Sequence, residues 1–434
     1  MNKSILLLLC VLLFNFTNAQ NAQDEKTVKV LKKKMEQSHG GERLKWMDSL
    51  SNYFALDTDF KSDSLIQITQ QYAIQLDSVD LAIKQTIHLM YYQNIIKGNS
   101  NKAKKIFEAH QYLFPRIKSI PLKCKFLLEG AITYFYLRNF DKAMAQYHTA
   151  EQLASKHKLD NYTAKASQGK GMVHTETGNF GAASLSLQNA LKFFVKVKDT
   201  TMILDTRNSL SILYSKNNFF KEAKSERDAL IELSLKAKEY DLIPIYYYNY
   251  ASDYKKLKNQ KARIASLKKA LKVNTKSKFK NYLDPYLLAG ITTAYAENDS
   301  LQKAKQYFEK LKSIYDESTE GGHQSVFLEA KKSIAFLEGD FLKALLSGKK
   351  YVELSKNNKQ YEELELGEKF LSDVYLTMND NTNAFKHFKS YTHLKDSIGN
   401  ATNLRVLSYY QTLYETEKRD FIIKSQETNI ALLN

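Results

Sequence analysis

The chain has 434 residues, of which 43% are hydrophobic, 12% aromatic and 26% charged. This apolar content excludes a wholly disordered chain, and the presence of only 15 Gly and four Pro argues against a turn-rich fold. The formal net charge is +17, yet arginine accounts for only eight of the 64 basic residues. Because arginine provides the planar fork that reads phosphates and base edges, the excess of lysine favours a solvated surface over a nucleic-acid partner.

The first nineteen residues have the pattern of an export signal. Lys3 provides a positive end, residues 5–16 form an apolar core, and small residues at 17–19 mark a cleavage site, so we predict cleavage after Ala19. The alternative is retention as an anchor, although the apolar run is shorter than the roughly 20 residues that span a bilayer. We therefore expect an exported, periplasmic protein. Tethering to the inner membrane would require a span beyond Asn434 in a longer natural chain.

A column of alanines repeats along most of the chain. The column contains Ala103, Ala143, Ala183, Ala223, Ala304, Ala344 and Ala384, with Arg263 in the gap. The spacing is 40 residues, apart from one step of 41. From each alanine, steps of four and three residues to further apolar positions keep one face of a helix, so each alanine begins the buried stripe of a second helix. An aromatic column nine residues earlier, which includes Tyr134 and Tyr214, belongs to the first helix of each pair.

Two prolines fit this division. Pro244 and Pro285 each fall at the predicted start of a first helix, where a missing N–H group costs nothing, and Asp284 is predicted to cap the second of these helices.

The columns resemble the tetratricopeptide repeat, which places a small residue and an aromatic on helix A, an aromatic at the turn, and Ala, aromatic and Ala on helix B. One unit carries this pattern at Ala131, Tyr134, Phe140, Ala143, Tyr147 and Ala150. The resemblance covers residues 43–395 and implies an all-α, right-handed superhelical solenoid of about nine helix pairs. The family period is 34 residues, so about six extra residues per unit must lengthen the helices or their linkers; HEAT repeats are the alternative for a period near 40.

The predicted organisation has four parts. These are a signal peptide at 1–19, an N-terminal lead-in at 20–42, the repeat solenoid at 43–400 and a coiled-coil-like C-terminal helix at 401–434.

The sequence carries no catalytic signature. Its nine histidines show no H-x-x-H or H-E-x-x-H spacing, and its two glycine doublets stand outside any phosphate-binding pattern. Cys124 has no basic partner fixed by the sequence. We therefore predict no catalytic residue, no metal site and no cofactor. An enzymatic function would require polar residues from distant repeats to converge.

In the family fold the first helices line a concave groove. By resemblance, the groove residues here are Lys125, Leu128, Lys165, Gln168, Asn208, Ile212, Tyr248, Ser252 and Lys255. A mixture of polar and aromatic side chains suits a protein or peptide partner, with the aromatics as rigid anchors. The alternative is that many of these residues are ordinary solvated side chains.

The C-terminal segment has apolar residues at irregular heptad spacing, namely Leu407, Tyr410, Tyr414, Phe421, Ile430 and Leu433. This spacing predicts a coiled-coil-like helix that forms a homodimer. The arrangement is similar to the exported sensor region of bacterial tetratricopeptide-repeat signal-transduction proteins, in which a membrane span and a histidine kinase or DNA-binding domain follow. Any kinase activity would then lie beyond Asn434. The alternative hypothesis is a stand-alone periplasmic scaffold or assembly factor.

Overall fold

The computed structural model describes residues 23–54, 62–315 and 323–399. Within these ranges the chain forms nineteen α-helices and no strand. The predicted signal peptide and the predicted dimerisation helix, with Leu407, Tyr410, Tyr414, Phe421, Ile430 and Leu433, lie outside the described residues.

The helices are α1 Gln23–Gln37, α2 Gly40–Phe54, α3 Ser62–Gln75, α4 Val79–Tyr91, α5 Ser100–His110, α6 Ile120–Tyr136, α7 Phe140–Lys156, α8 Asp160–Thr177, α9 Phe180–Lys196, α10 Thr200–Lys216, α11 Phe220–Lys236, α12 Ile243–Lys256, α13 Gln260–Asn274, α14 Lys280–Ala296, α15 Leu301–Lys312, α16 Gln324–Leu337, α17 Phe341–Asn357, α18 Tyr361–Thr377 and α19 381–399. A π-helical turn, Tyr92–Ile96, follows α4, and a 3-10 turn, Gln111–Arg116, follows α5.

Helices α2 to α19 form nine consecutive pairs, in which each helix packs against its neighbours in sequence. The all-α solenoid predicted from the sequence is therefore confirmed. Ala103, Ala143 and Ala183 of the alanine column are fully buried. The long period resides in the helices, because typical members such as α6 and α7 have 17 residues and are joined by a connection at 137–139.

The same connection joins helices within pairs and between pairs. Arg138, Lys158 and Lys198 have φ values of 56°, 55° and 56°, which is the left-handed region. After Arg138, the N–H of Asn139 donates to the Tyr134 carbonyl at 2.9 Å, and the Asn139 side chain caps α7. These bonds offset the cost of about 1–2 kcal/mol that a left-handed conformation imposes on a non-glycine residue. The turn gives the molecule a 20-residue half-period.

Neighbouring pairs approach closely where a large side chain of a second helix meets a glycine of the next first helix. A Cβ on Gly130 would lie 2.4 Å from the Phe107 ring, and a Cβ on Gly169 would lie 2.1 Å from the Tyr147 ring. Both distances are far below van der Waals contact. Glycine is therefore required at these two positions for the pairs to stack.

The fifth pair replaces this apolar contact with an ion pair. Arg227 occupies the position on α11 that Phe107 and Tyr147 occupy on earlier second helices, and it is 1% exposed. Its guanidinium pairs with the Asp253 carboxylate on α12, which also accepts a hydrogen bond from the Ser215 hydroxyl on α10. A buried charged contact thus links three helices.

The two prolines differ from each other in position. Pro244 lies in the first turn of α12, as predicted. The prediction for Pro285 is wrong, because α14 begins five residues before it. The earlier start buries Leu283, which is 1% exposed. Asp284 does not cap the helix; its carboxylate accepts a hydrogen bond from Asn274 Nδ2 at 2.8 Å.

The superhelix brings distant pairs together on its inner side. One apolar cluster contains Tyr91, Tyr92, Ile95 and Ile96 of the second pair together with residues of the sixth to eighth pairs between 245 and 334. The first helices of these pairs therefore share one core across the coil.

Candidate ligand-binding site on the first helices

Polar side chains link first helices of different pairs and thereby mark the inner face of the solenoid. Gln168 on α8 donates to Asp205 on α10 at 2.9 Å. Lys255 on α12 reaches Glu329 on α16, 74 residues away, at 2.7 Å. The inner face is therefore the side on which these residues lie.

The predicted groove residues divide by burial and by helix. Lys125 is half-buried on α6, Lys165 and Gln168 are buried on α8, Asn208 is buried on α10, and α12 carries buried Tyr248 with half-buried Ser252 and Lys255.

Five residues on α6, α8 and α10 form what we call the inner polar patch: Lys125, Lys165, Gln168, Asp205 and Asn208. Gln168 is 0% exposed and Asp205 is 1% exposed. Burial raises the pKa of the Asp205 carboxyl to about 7, although the hydrogen bond from Gln168 opposes this rise. The carboxyl is thus close to half-protonated near neutral pH.

Three acceptor atoms of the inner polar patch are unused. Gln168 Oε1, Asp205 Oδ1 and Asn208 Oδ1 are buried and have no hydrogen-bond partner within the described part of the chain. Leaving a buried polar atom unsatisfied costs about 1–3 kcal/mol, and native proteins satisfy nearly all such atoms. The patch is therefore arranged to receive hydrogen-bond donors from outside the fold.

The inner face of the sixth to eighth pairs is different, because its charged groups satisfy one another. Besides its contact with Glu329, Lys255 Nζ lies 3.7 Å from Glu297 Oε1, and Arg263 also pairs with Glu297. Although burial acts to raise it, Lys255 and Arg263 lower the pKa of Glu297 to about 2. The predicted groove residue Lys255 is thus committed to an internal network.

The remaining predicted residues of α12 also make internal contacts. Ser252 Oγ donates to the Tyr248 carbonyl at 3.3 Å, and Tyr248 belongs to the apolar cluster that crosses the coil. Within the described chain, the inner polar patch is therefore the more open candidate for a ligand.

Sequence reasoning missed Asp205. A signal was present, since Asp205 lies 40 residues after Lys165, which itself lies 40 residues after Lys125. All three occupy one register on consecutive first helices. An acidic residue in a column with two lysines indicates a functional position more strongly than composition alone.

The described residues offer binding groups and no evident reaction chemistry. No group of three or more His, Cys, Asp or Glu side chains in these ranges is placed to hold a metal ion. Cys124 is fully buried, and burial raises the pKa of its thiol to about 11, so the thiol is protonated at neutral pH. None of the described helices combines the length and apolar character needed to cross a membrane.

Comparison with known proteins supports the repeat assignment. Residues 245–277 match the family model of the tetratricopeptide repeat. No match to a curated protein sequence was found.

Several solved structures share the fold. A Rap protein complexed with Competence and Sporulation Factor is 11% identical, with a TM-score of 0.59 over 87% of this chain and 99% of that one. The apo quorum sensor NprR from B. thuringiensis is 12% identical, with a TM-score of 0.53 over 85% and 99%. The Rap conjugation gene regulator of plasmid pLS20, in complex with the Phr* peptide, is 13% identical, with a TM-score of 0.53 over 82% and 96%. At these identities the likeness establishes a tetratricopeptide-type solenoid.

Proposed function

We propose that this tetratricopeptide-type repeat protein is a binding module that holds an extended peptide segment along its inner polar patch. The observation that carries the proposal is the set of unused, buried acceptors at Gln168, Asp205 and Asn208. A peptide backbone in extended conformation presents N–H donors at regular intervals, and these are the groups that such acceptors require.

The position of the patch also favours a peptide. Its residues lie on three consecutive first helices, whose axes pack about 8–10 Å apart. A short extended segment spans three helices at about 3.3 Å per residue. Two proteins of the same fold were solved with such partners, a Rap protein with Competence and Sporulation Factor and the pLS20 regulator with the Phr* peptide.

The test is an affinity selection from a randomised heptapeptide pool, with bound peptides identified by mass spectrometry. Gln168→Leu and Asn208→Leu remove an unused acceptor each and retain similar volume. Each lost hydrogen bond of about 1–1.5 kcal/mol corresponds to roughly tenfold weaker binding. Gln302→Leu, at an exposed position on α15, is the matched control. Equal enrichment on wild type and both patch variants would overturn the proposal.

We further propose that the module is the exported sensing part of a signal-transduction protein. The pattern of residues 1–19 supports export, and the apolar spacing of residues 401–434 supports pairing of two copies. Ligand binding would bias the pairing by its differential affinity for the two states. Mass spectrometry of the protein from a periplasmic fraction tests the first step: a chain beginning at Gln20 is expected, and an intact Met1 would contradict export by cleavage.

A further inference from the structure

Two lysines of the inner polar patch occupy equivalent places on neighbouring first helices. Lys125 lies nine residues before Tyr134, and Lys165 lies nine residues before His174. Lys165 is 8% exposed and Lys125 is half-buried. Because packed helix axes are about 8–10 Å apart and a lysine carries its charge on a flexible four-carbon stem, both ammonium groups can reach a common point between α6 and α8.

Neither ammonium group is neutralised within the fold. In residues 23–54, 62–315 and 323–399, no carboxylate oxygen lies within 4 Å of Lys125 or Lys165. Other well-buried or half-buried lysines are paired: Lys216 Nζ lies 2.6 Å from a Glu176 oxygen, and Lys84 Nζ lies 2.9 Å from an Asp48 oxygen. The two patch lysines therefore depart from the rule that the rest of the molecule follows.

The charged neighbours increase the excess of positive charge. Burial, and then the charge of Lys84, lower the pKa of Lys125. Burial also lowers the pKa of Lys165; Asp199, at the start of α10, opposes this and Lys125 adds to it. Burial holds the pKa of His88 on α4 at about 3, so this imidazole is neutral. Only the more distant Asp199 acts against the unfavourable charge.

A buried, unpaired ammonium group destabilises a protein, so its presence calls for a partner that the isolated chain lacks. Gln168 lies one helical turn after Lys165 on α8, which places the lysines beside the unused acceptors. We propose that Lys125 and Lys165 receive an acidic group of the bound peptide, either its C-terminal carboxylate or an acidic side chain. The acidic end of the ligand then lies at α6 and α8, and this fixes the direction of the peptide across the patch. The inference rests on the proposed peptide site.

The experiment compares three forms of a peptide selected from the heptapeptide pool. These are the free acid, the C-terminal amide, and a form in which Asp and Glu are replaced by Asn and Gln. Fluorescence polarisation measures their affinities for wild type and for Lys125→Met and Lys165→Met. Lys156→Met, at an exposed position on α7, is the control.

We expect at least tenfold weaker binding of one neutralised form to wild type, and the form that loses affinity identifies the source of the acid. Each patch variant should bind the free acid at least tenfold more weakly than wild type and should discriminate less between charged and neutral forms. The control should behave like wild type. Equal wild-type affinity for all three forms overturns the inference while the peptide site stands; failure of wild type to enrich any peptide overturns both.

A stability measurement separates ligand binding from a structural role. Because methionine removes an unpaired buried charge and keeps an unbranched stem, Lys165→Met should unfold at the same or a higher temperature than wild type in the absence of peptide. Lys125→Met, at the more exposed position, provides the same binding test if the first variant does not fold. A variant that is both less stable and unchanged in peptide affinity would assign the lysine a structural role and contradict the inference.

Discussion

Replacing Glu129 with glutamine should stabilise the protein at neutral pH. Glu129 lies on α6 and is 1% exposed. Burial raises its pKa to about 8 from an ordinary 4.5, while the hydrogen bond from Asn94 Nδ2 acts in the opposite direction. Asn94 Nδ2 lies 3.3 Å from Glu129 Oε1 and also donates to Thr133 Oγ1 at 2.8 Å. No ion pair compensates the Glu129 carboxylate within the described residues.

The sign and size of the effect follow from proton linkage. The folded protein keeps the Glu129 proton at a pH where the unfolded chain has released it, so stability is fully present below about pH 4.5 and falls as the pH rises to about 8. At pH 7 the released proton has been restored across roughly 2.5 pH units at 1.36 kcal/mol each, which is about 3 kcal/mol. Glutamine is neutral at every pH and keeps the acceptor for Asn94, so it removes this cost.

Urea unfolding followed by circular dichroism at pH 5, 6, 7 and 8 measures the effect, and hydrogen exchange of α6 amides localises it, because repeat arrays unfold in parts. We expect Glu129→Gln to exceed wild type by about 3 kcal/mol at pH 7 and to approach it at pH 5. Glu222→Gln, at an exposed position on α11, controls for the change in net charge. Parallel pH profiles for wild type and Glu129→Gln, or a less stable variant at pH 7, would refute the reasoning.

Three further perturbations test the packing and the assembly. Arg227→Met should lower the unfolding free energy in urea by about 3–5 kcal/mol, because it leaves Asp253 buried and unpaired; the double variant with Asp253→Leu should recover most of this loss, and an equally unstable double variant would contradict the ion-pair account. Gly169→Ala places a Cβ 2.1 Å from the Tyr147 ring, so a calorimetric scan should show a loss of about 1–3 kcal/mol that Tyr147→Leu relieves. Sedimentation should show a dimer for the full chain and a monomer after removal of residues 401–434; a monomeric full chain at high concentration would count against the dimer.

The sequence predicts most of the fold because its strongest signal is geometric. Small residues such as Ala143 recur where two helices touch, and no other arrangement explains a 40-residue column. The 20-residue turn was not visible, since its left-handed positions carry residues such as Lys158 and Lys198 where glycine would have been expected. Pro285 was misplaced because burial of the preceding turn outweighs the local preference of proline for a helix start.

The candidate site was predictable only where one register determines the answer. Lys125, Lys165, Gln168 and Asn208 follow from the position of their residues on the first helices. The pairing of Lys255 with Glu329 joins residues 74 positions apart, so no pattern within one repeat reveals it. The unused acceptors and the unpaired lysines also depend on which side chains meet across pairs. These features emerge only when the pairs are stacked.

The central claim is that the inner polar patch holds the ligand. A crystal structure of the protein with a peptide selected from the pool tests this claim most directly. We expect backbone N–H groups of the peptide at Gln168 Oε1 and Asn208 Oδ1, and an acidic group between Lys125 and Lys165. A peptide seated on the outer second helices, with these acceptors still unused, would contradict the claim.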